Sequence, residues 1–182
     1  PPGGGTPGTV PAGTPCAGLV VTDRAGWGIK VKNASAGIVQ NCDVSHCGTG
    51  IRMYVVTGAS YVQDSKAHNM DRMIVSDATA NNDNGGTGIA ADLAVGLTIR
   101  RNHIFECHAV SVDYGVDGGA IEFYECSSTI AEYNICWNNE GFIETGTGDA
   151  SGYPMPNNIV RRNLVYGRAS YRGAAPGSTA GT

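Results

Sequence analysis

The sequence predicts an all-β solenoid of about five to six turns. Two observations predict it: a short apolar–polar–apolar unit recurs along the chain, and a second β-prone segment follows the units at a near-constant distance. A fixed period of 20 to 50 residues is the mark of stacked repeats, because one short repeat cannot bury enough surface to offset its own ordering.

The first unit is "GIVQNCDVSHC" from Gly37, followed by "SYVQDSKAHNM" from Ser60, "LTIRRNHIFEC" from Leu97, "STIAEYNICWNN" from Ser128 and "NIVRRNLVYG" from Asn158. Each holds a pair of small or apolar residues five positions apart: Val39/Val44, Val62/Ala67, Ile99/Ile104, Ile130/Ile135 and Val160/Val165. Between them stands Asn41, Asp64, Asn102, Asn134 or Asn163, which predicts a bend, since Asn and Asp tolerate left-handed geometry. Stacking such turns in register would pile amide on amide as a hydrogen-bonded ladder. Arg100-Arg101 and Arg161-Arg162 are expected on the outward side of that bend.

The following strands are read as "GIRMY" from Gly50, "RMIVS" from Arg72, "VSVDY" from Val110 and "GFIET" from Gly141, with "GIKV" at Gly28 as an upstream copy. Gly28 to Gly50 and Gly50 to Arg72 are both 22 residues. These units resemble the right-handed parallel β-helix proteins of the pectate-lyase-like superfamily, over residues 18–168. The resemblance implies the fold and leaves the activity open.

The later turns are longer. Val39 to Val62 is 23 residues, whereas Val62 to Ile99 is 37, Ile99 to Ile130 is 31 and Ile130 to Val160 is 30. The surplus is placed after the "GIRMY"-type strand, at 77–96, 113–127 and 145–157, where insertions gather on one face and often bind. These segments carry Asp77, Asp83, Asp92, Asp113, Asp117, Glu122, Glu125 and Asp149, with Glu144 at an edge and Tyr114, Tyr124 and Tyr153 among them.

Carboxylates beside aromatic rings suit a sugar chain, which makes Asp113, Tyr114, Asp117, Glu122, Tyr124 and Tyr153 carbohydrate-binding candidates. Glu122, Glu144 and Asp117 are the catalytic candidates, as paired carboxylates perform glycoside hydrolysis. Asp113, Asp117 and Asp149 are candidate Ca²⁺ ligands, because that cation takes oxygen donors. Solvated acidic loops account for the same composition. The paired-Asp and Gly-His-Gly signatures of polygalacturonase-like relatives are missing, as is the Arg-containing strand of pectate lyases. His46 and His68 occupy nearly equivalent places in successive turns, which stacking alone explains.

Cys16, Cys42, Cys47, Cys107, Cys126 and Cys136 show no zinc-type spacing and are read as disulfide candidates or as small buried hydrophobes. An even cysteine count, three lysines and the sequon Asn33-Ala-Ser35, a glycosylation candidate, predict a secreted chain. The opening residues have no basic start or apolar centre, so any secretory leader is expected to have been removed. No apolar run is long enough for a membrane helix. A net charge of −4 argues against a nucleic-acid partner.

Residues 1–17 and 169–182 are rich in Pro, Gly, Thr, Ser and Ala and read as arms flanking the 18–168 domain. Short length, bare ends and extended arms favour a structural or glycan-associated extracellular module, with copies of itself stacked into a fibre or with polysaccharide as partner. A polysaccharide lyase or glycoside hydrolase, and a non-catalytic carbohydrate-binding module, are the alternatives.

Overall fold

The computed structural model describes residues 15–79, 81–147 and 154–167. The chain winds through stacked rungs, each made of two short strands and one longer one. Rung one holds β1 (Pro15–Ala17), β2 (Val20–Thr22) and β3 (Trp27–Ser35); rung two holds β4 (Ile38–Gln40), β5 (Asp43–Ser45) and β6 (Thr49–Thr57). Rung three holds β7 (Ser60–Gln63), β8 (Lys66–His68), a hairpin of β9 (Met73–Val75) and β10 (Asn84–Gly85), and β11 (Thr87–Asp92).

Rung four repeats this plan with β12 (Leu97–Arg100), β13 (His103–Phe105), the hairpin of β14 (Ala109–Ser111) and β15 (Gly115–Asp117), and β16 (Gly119–Tyr124). Rung five is β17 (Ile130–Glu132), β18 (Ile135–Trp137) and β19 (Ile143–Gly146), and β20 (Ile159–Arg161) and β21 (Leu164–Tyr166) begin a sixth. The strands stack into three parallel sheets: β1-β4-β7-β12-β17-β20, β2-β5-β8-β13-β18-β21, and the long sheet β3-β6-β11-β16-β19. This is the predicted all-β solenoid, and β1 starts at Pro15, three residues ahead of the expected boundary.

The core is a set of columns running along the helix axis. Val39, Val62, Ile99 and Ala131 form one, and Val44, Ala67, Ile104 and Cys136 another, each fully buried. The fourth unit therefore differs by one residue from the sequence reading: Ala131 and Cys136 point inward, and Ile130 and Ile135 sit half-buried on the outer face.

The bend explains the slip. Its left-handed residues are Asn41, Asp64, Arg101, Tyr133 and Arg162, with φ of 52°, 52°, 53°, 56° and 55°. In rungs four to six the asparagine comes one position later. Asn102 and Asn134 are fully buried, and their amides bind the next rung rather than their own turn. A left-handed Arg or Tyr costs roughly 1 kcal/mol, and the ladder behind it offsets that cost. His46 and His68 are likewise one position apart in register, since Ser45 stacks on His68 and His46 occupies the next bend.

The cysteines obey the same rule. None is in a disulfide. Cys42, Cys47, Cys107 and Cys126 each follow a left-handed residue and donate their thiol to the carbonyl two residues back, at 3.3, 3.1, 3.5 and 3.4 Å. Ser65 and Thr129 do the same with hydroxyls, at 2.9 and 3.3 Å. Of the two readings of these residues, the small buried group is the one the fold uses. All but Cys16 are buried, and burial pushes the Cys136 thiol up to about 12.

Two strand assignments also change. "RMIVS" and "VSVDY" belong to the inserted hairpins, and the long-sheet copies are "TGIAAD" and "GAIEFY". The insertions thus precede the long strand in rungs three and four rather than follow it. Packing at glycine sets this register. A Cβ on Gly28 would lie 2.8 Å from the Gly50 carbonyl oxygen, one on Gly50 would lie 2.6 Å from that of Gly88, and one on Gly88 would lie 2.8 Å from that of Ala120. The Gly-Ile pairs at 28, 50 and 88 stack, and Arg72 and Val110 have no place in that column.

Candidate functional site

The two hairpins rise beside the long sheet and are tied together by a reciprocal clasp. Asp83, 7% exposed, accepts hydrogen bonds from Ser111 Oγ at 2.6 Å, Ser76 Oγ at 3.0 Å and the N–H groups of Val112, Asp77 and Asp113 at 2.7, 2.9 and 3.1 Å. Asp113 Oδ2 in return accepts from the N–H groups of Asn82 and Asp83, at 2.8 and 3.1 Å. Burial alone would raise the pKa of Asp83, but the donors from Ser111, Asp113, Ser76 and Asp77 hold it well below the usual carboxylate range.

The clasp walls a groove of about 350 Å³ bordered by Asp83, Thr87, Tyr114, Asp117, Glu122 and Glu144. A second hollow shares Asn84, Gly85 and Glu122 with it and continues over Thr49, Arg52, Asp92 and Tyr124. The floor is the outer face of the long sheet, where strand alternation sends every second side chain outward. Lys30, Arg52, Ala90, Glu122 and Glu144 form one in-register row; Lys32, Tyr54, Asp92, Tyr124 and Gly146 form the next.

Neighbouring rungs are about 4.8 Å apart, so Glu122 and Glu144 are one rung-spacing from each other. Glu122 is half-buried. Burial, reinforced by the Asp92 and Glu144 carboxylates, raises it to about 7 against the opposing pull of Arg52. Asp117 is also raised, first by burial and then by Glu144 and Asp83, while the Gly118 N–H works the other way. Arg52 is held by Asp92 in a two-pronged pair at 2.7 and 2.8 Å. At the far end Lys30 lies over the Trp27 ring, 3.6 Å from its centroid.

Of the sequence candidates, Glu122, Glu144, Asp117, Tyr114 and Tyr124 come together along the groove. Asp113 instead accepts from the backbone of the neighbouring hairpin, at Asn82 and Asp83. Asp149 and Tyr153 lie outside the described residues. The described residues contain no group of three His, Cys, Asp or Glu placed to hold a metal ion. Asn33 is exposed within β3 at φ 55°. Sequence reading missed Arg52, Lys30 and the placing of Asp92 opposite Tyr54. Aligning "GIKV", "GIRMY" and "GIAAD" through their Gly-Ile pairs would have found all three.

Another aromatic series runs down the second sheet. His68, Phe105, Trp137 and Tyr166 stack with centroids 4.7, 4.1 and 5.8 Å apart and planes within 7°. Their faces cover one another along the outer side of that sheet, where none of the four is buried and Tyr166 at the end is 51% exposed.

Stacked parallel rungs, three sheets and insertions on one side define a β-helix. The family model described as the right handed beta helix region matches residues 27–179, and the chain belongs to that family. Neither the curated proteins nor the solved structures give a match.

Proposed function

We propose that this β-helix is an extracellular glycan-processing module, whose long-sheet groove holds a saccharide chain and cleaves a glycosidic bond with Glu122 and Glu144. The in-register Glu122–Glu144 pair carries the reading. A proton donor working near neutral pH needs a carboxyl raised toward 7, and burial beside two other carboxylates does this to Glu122. A second carboxyl about 5–5.5 Å away is the spacing of hydrolases that work through a glycosyl-enzyme. Adjacent rungs supply nearly that distance.

In such a step Glu122 gives its proton to the glycosidic oxygen as the C–O bond breaks, and Glu144 bonds the anomeric carbon. Water then displaces Glu144 and returns a proton to Glu122. Tyr114 and Tyr124 offer flat apolar surface to sugar rings. The test is reducing-end release from a panel of polysaccharides by wild type, Glu122→Gln and Glu144→Gln. Loss of at least 100-fold in both variants, with binding retained, supports the reading. Full turnover in either variant overturns it, and binding without release by wild type would make the groove a non-catalytic site.

One observation favours end-to-end assembly as a second reading. Val160 and Val165 extend columns whose other members in rungs two to five are fully buried, yet they are 46% and 45% exposed. Filaments seen by electron microscopy would support stacking through that end; a monodisperse monomer at high concentration would rule it out.

A further inference from the structure

Charges on the long sheet are arranged unlike those on its neighbour. On the sheet of β4, β7, β12, β17 and β20, the outward row Gln40, Gln63, Arg100, Glu132 and Arg161 stacks compatible partners. Arg161 meets Glu132 at 2.8 Å and Arg100 meets Gln63 at 2.8 and 2.9 Å; beside them Arg101 holds Asp64 at 2.7 Å. The long-sheet row instead sets Lys30 on Arg52 and Glu122 on Glu144. Like charges directly opposite one another destabilise a sheet. Among the described residues neither Lys30 nor Lys32 takes part in an ion pair.

From either end the row is its own electrostatic complement: cation, cation, alanine, carboxylate, carboxylate. Turned about a two-fold axis parallel to the strands and passing over Ala90, a second copy sets its Glu144 over Lys30 and its Glu122 over Arg52. In the adjoining row Tyr54 meets Tyr124. Nearest the axis, Ala90 and Asp92 are buried within each copy, at 4% and 9% exposed. Each Asp92 is already neutralised by its own Arg52 at 2.7 and 2.8 Å, so the exposed Lys30 and Glu144 at the ends carry the contact. A two-fold contact needs one surface that complements itself, and this row is such a surface.

We infer that the long-sheet face is an interface between two copies of this chain, paired antiparallel through the row from Lys30 to Glu144. Five rungs span only about 19 Å, so the contact is small and charge-driven, and it dissociates in salt. It also covers the groove, so a second copy and a saccharide compete for one face. That makes pairing a regulator of access to the groove.

The experiment is sedimentation velocity on the whole chain at about 20 mM and about 500 mM salt, which bracket strong and weak screening. A species of about twice 18.8 kDa at low salt and a monomer at high salt are expected. Lys30 and Glu144 are both exposed, so Lys30→Glu and Glu144→Lys test charge without disturbing the core. Each variant alone is expected to pair at least tenfold more weakly, while an equimolar mixture, or one chain carrying both changes, pairs within about threefold of wild type. A misfolded variant would not be rescued by mixing. A wild-type monomer at low salt, a dimer indifferent to either variant, an unrestored mixture, or a species that grows past the dimer would each overturn the inference. None of these masses depends on glycan cleavage, so the two proposals fail separately.

Discussion

Asn134 Oδ1 accepts two hydrogen bonds from Asn102 one rung away, from its backbone N–H and from its side-chain amide, both at 3.0 Å. Asn134 Nδ2 donates in turn to the carbonyl of Ile99 at 3.0 Å, and Asn163 repeats the arrangement on Asn134 at 2.9 and 3.0 Å. One side chain thereby satisfies main-chain groups at a bend where the strand ladder is interrupted. An amide does this better than a carboxylate because it both donates and accepts.

Replacing Asn134 with Ala leaves the Asn102 N–H and the Ile99 carbonyl buried without partners. Each unsatisfied group costs about 1–3 kcal/mol, so a loss of about 2–5 kcal/mol is expected. Asn163→Ala, at the half-buried end of the ladder, is expected to cost less than half as much. Urea denaturation followed by circular dichroism measures both, and equal midpoints for the two variants would contradict a ladder that matters most at its centre.

Gly50→Ala would place a methyl group 2.6 Å from the Gly88 carbonyl oxygen and 2.8 Å from Met70 Cε. Backbone cannot yield there without moving a rung, so a loss of about 2–3 kcal/mol is expected. At Gly119 the nearest atom to a new Cβ is 3.5 Å away, and Ala there is expected to change stability by less than about 1 kcal/mol. Differential scanning calorimetry of the pair separates a register glycine from an incidental one.

Glu122 makes stability fall as pH rises. Its folded pKa is raised to about 7 from the ordinary 4.5, so the folded state binds the extra proton between those values. The contribution is complete below pH 4.5 and lost through pH 7. Glu122→Gln removes that dependence and is expected to stabilise the protein at pH 8 by about 1–3 kcal/mol. Chemical unfolding at pH 5 and pH 8 gives the sign directly: a variant no more stable than wild type at pH 8 would mean that Glu122 ionises without strain.

Native-state alkylation at pH 8 is expected to reach Cys16 alone, the one half-buried thiol. Burial pushes Cys126 up to about 11 and Cys107 higher still, and thiolate is the reactive form. Peptide mapping after denaturation should recover all six as free thiols. Native labelling of Cys107 would show that the core opens on the labelling timescale.

The repeat was legible because it is written in residue types that tolerate little exchange. Glycine before isoleucine at 28, 50 and 88 marks three stacked positions with no room for a Cβ, and the asparagines at 102, 134 and 163 mark the bend. The errors arose where composition mimics the repeat. "RMIVS" and "VSVDY" are as β-prone as the true long strands, and only the hairpin pairings of β9 with β10 and β14 with β15 take them out of the stack. In the same way Ile130 looks more like core than Ala131, but the position of Asn134 decides which one turns inward.

By itself the sequence determined that the chain is a stack of short parallel strands, because apolar spacing and bend residues repeat with a period that no helix or single sheet would need. It also supplied the acidic residues from which a site could be built. The tertiary structure alone decided which of them share a surface. Register brings Glu122 beside Glu144 and aligns both with Lys30 and Arg52, although 92 positions separate Glu122 from Lys30. Insertions of unequal length hide that alignment from any reading of spacing, since a row across the rungs is fixed by hydrogen bonds between strands and not by distance along the chain.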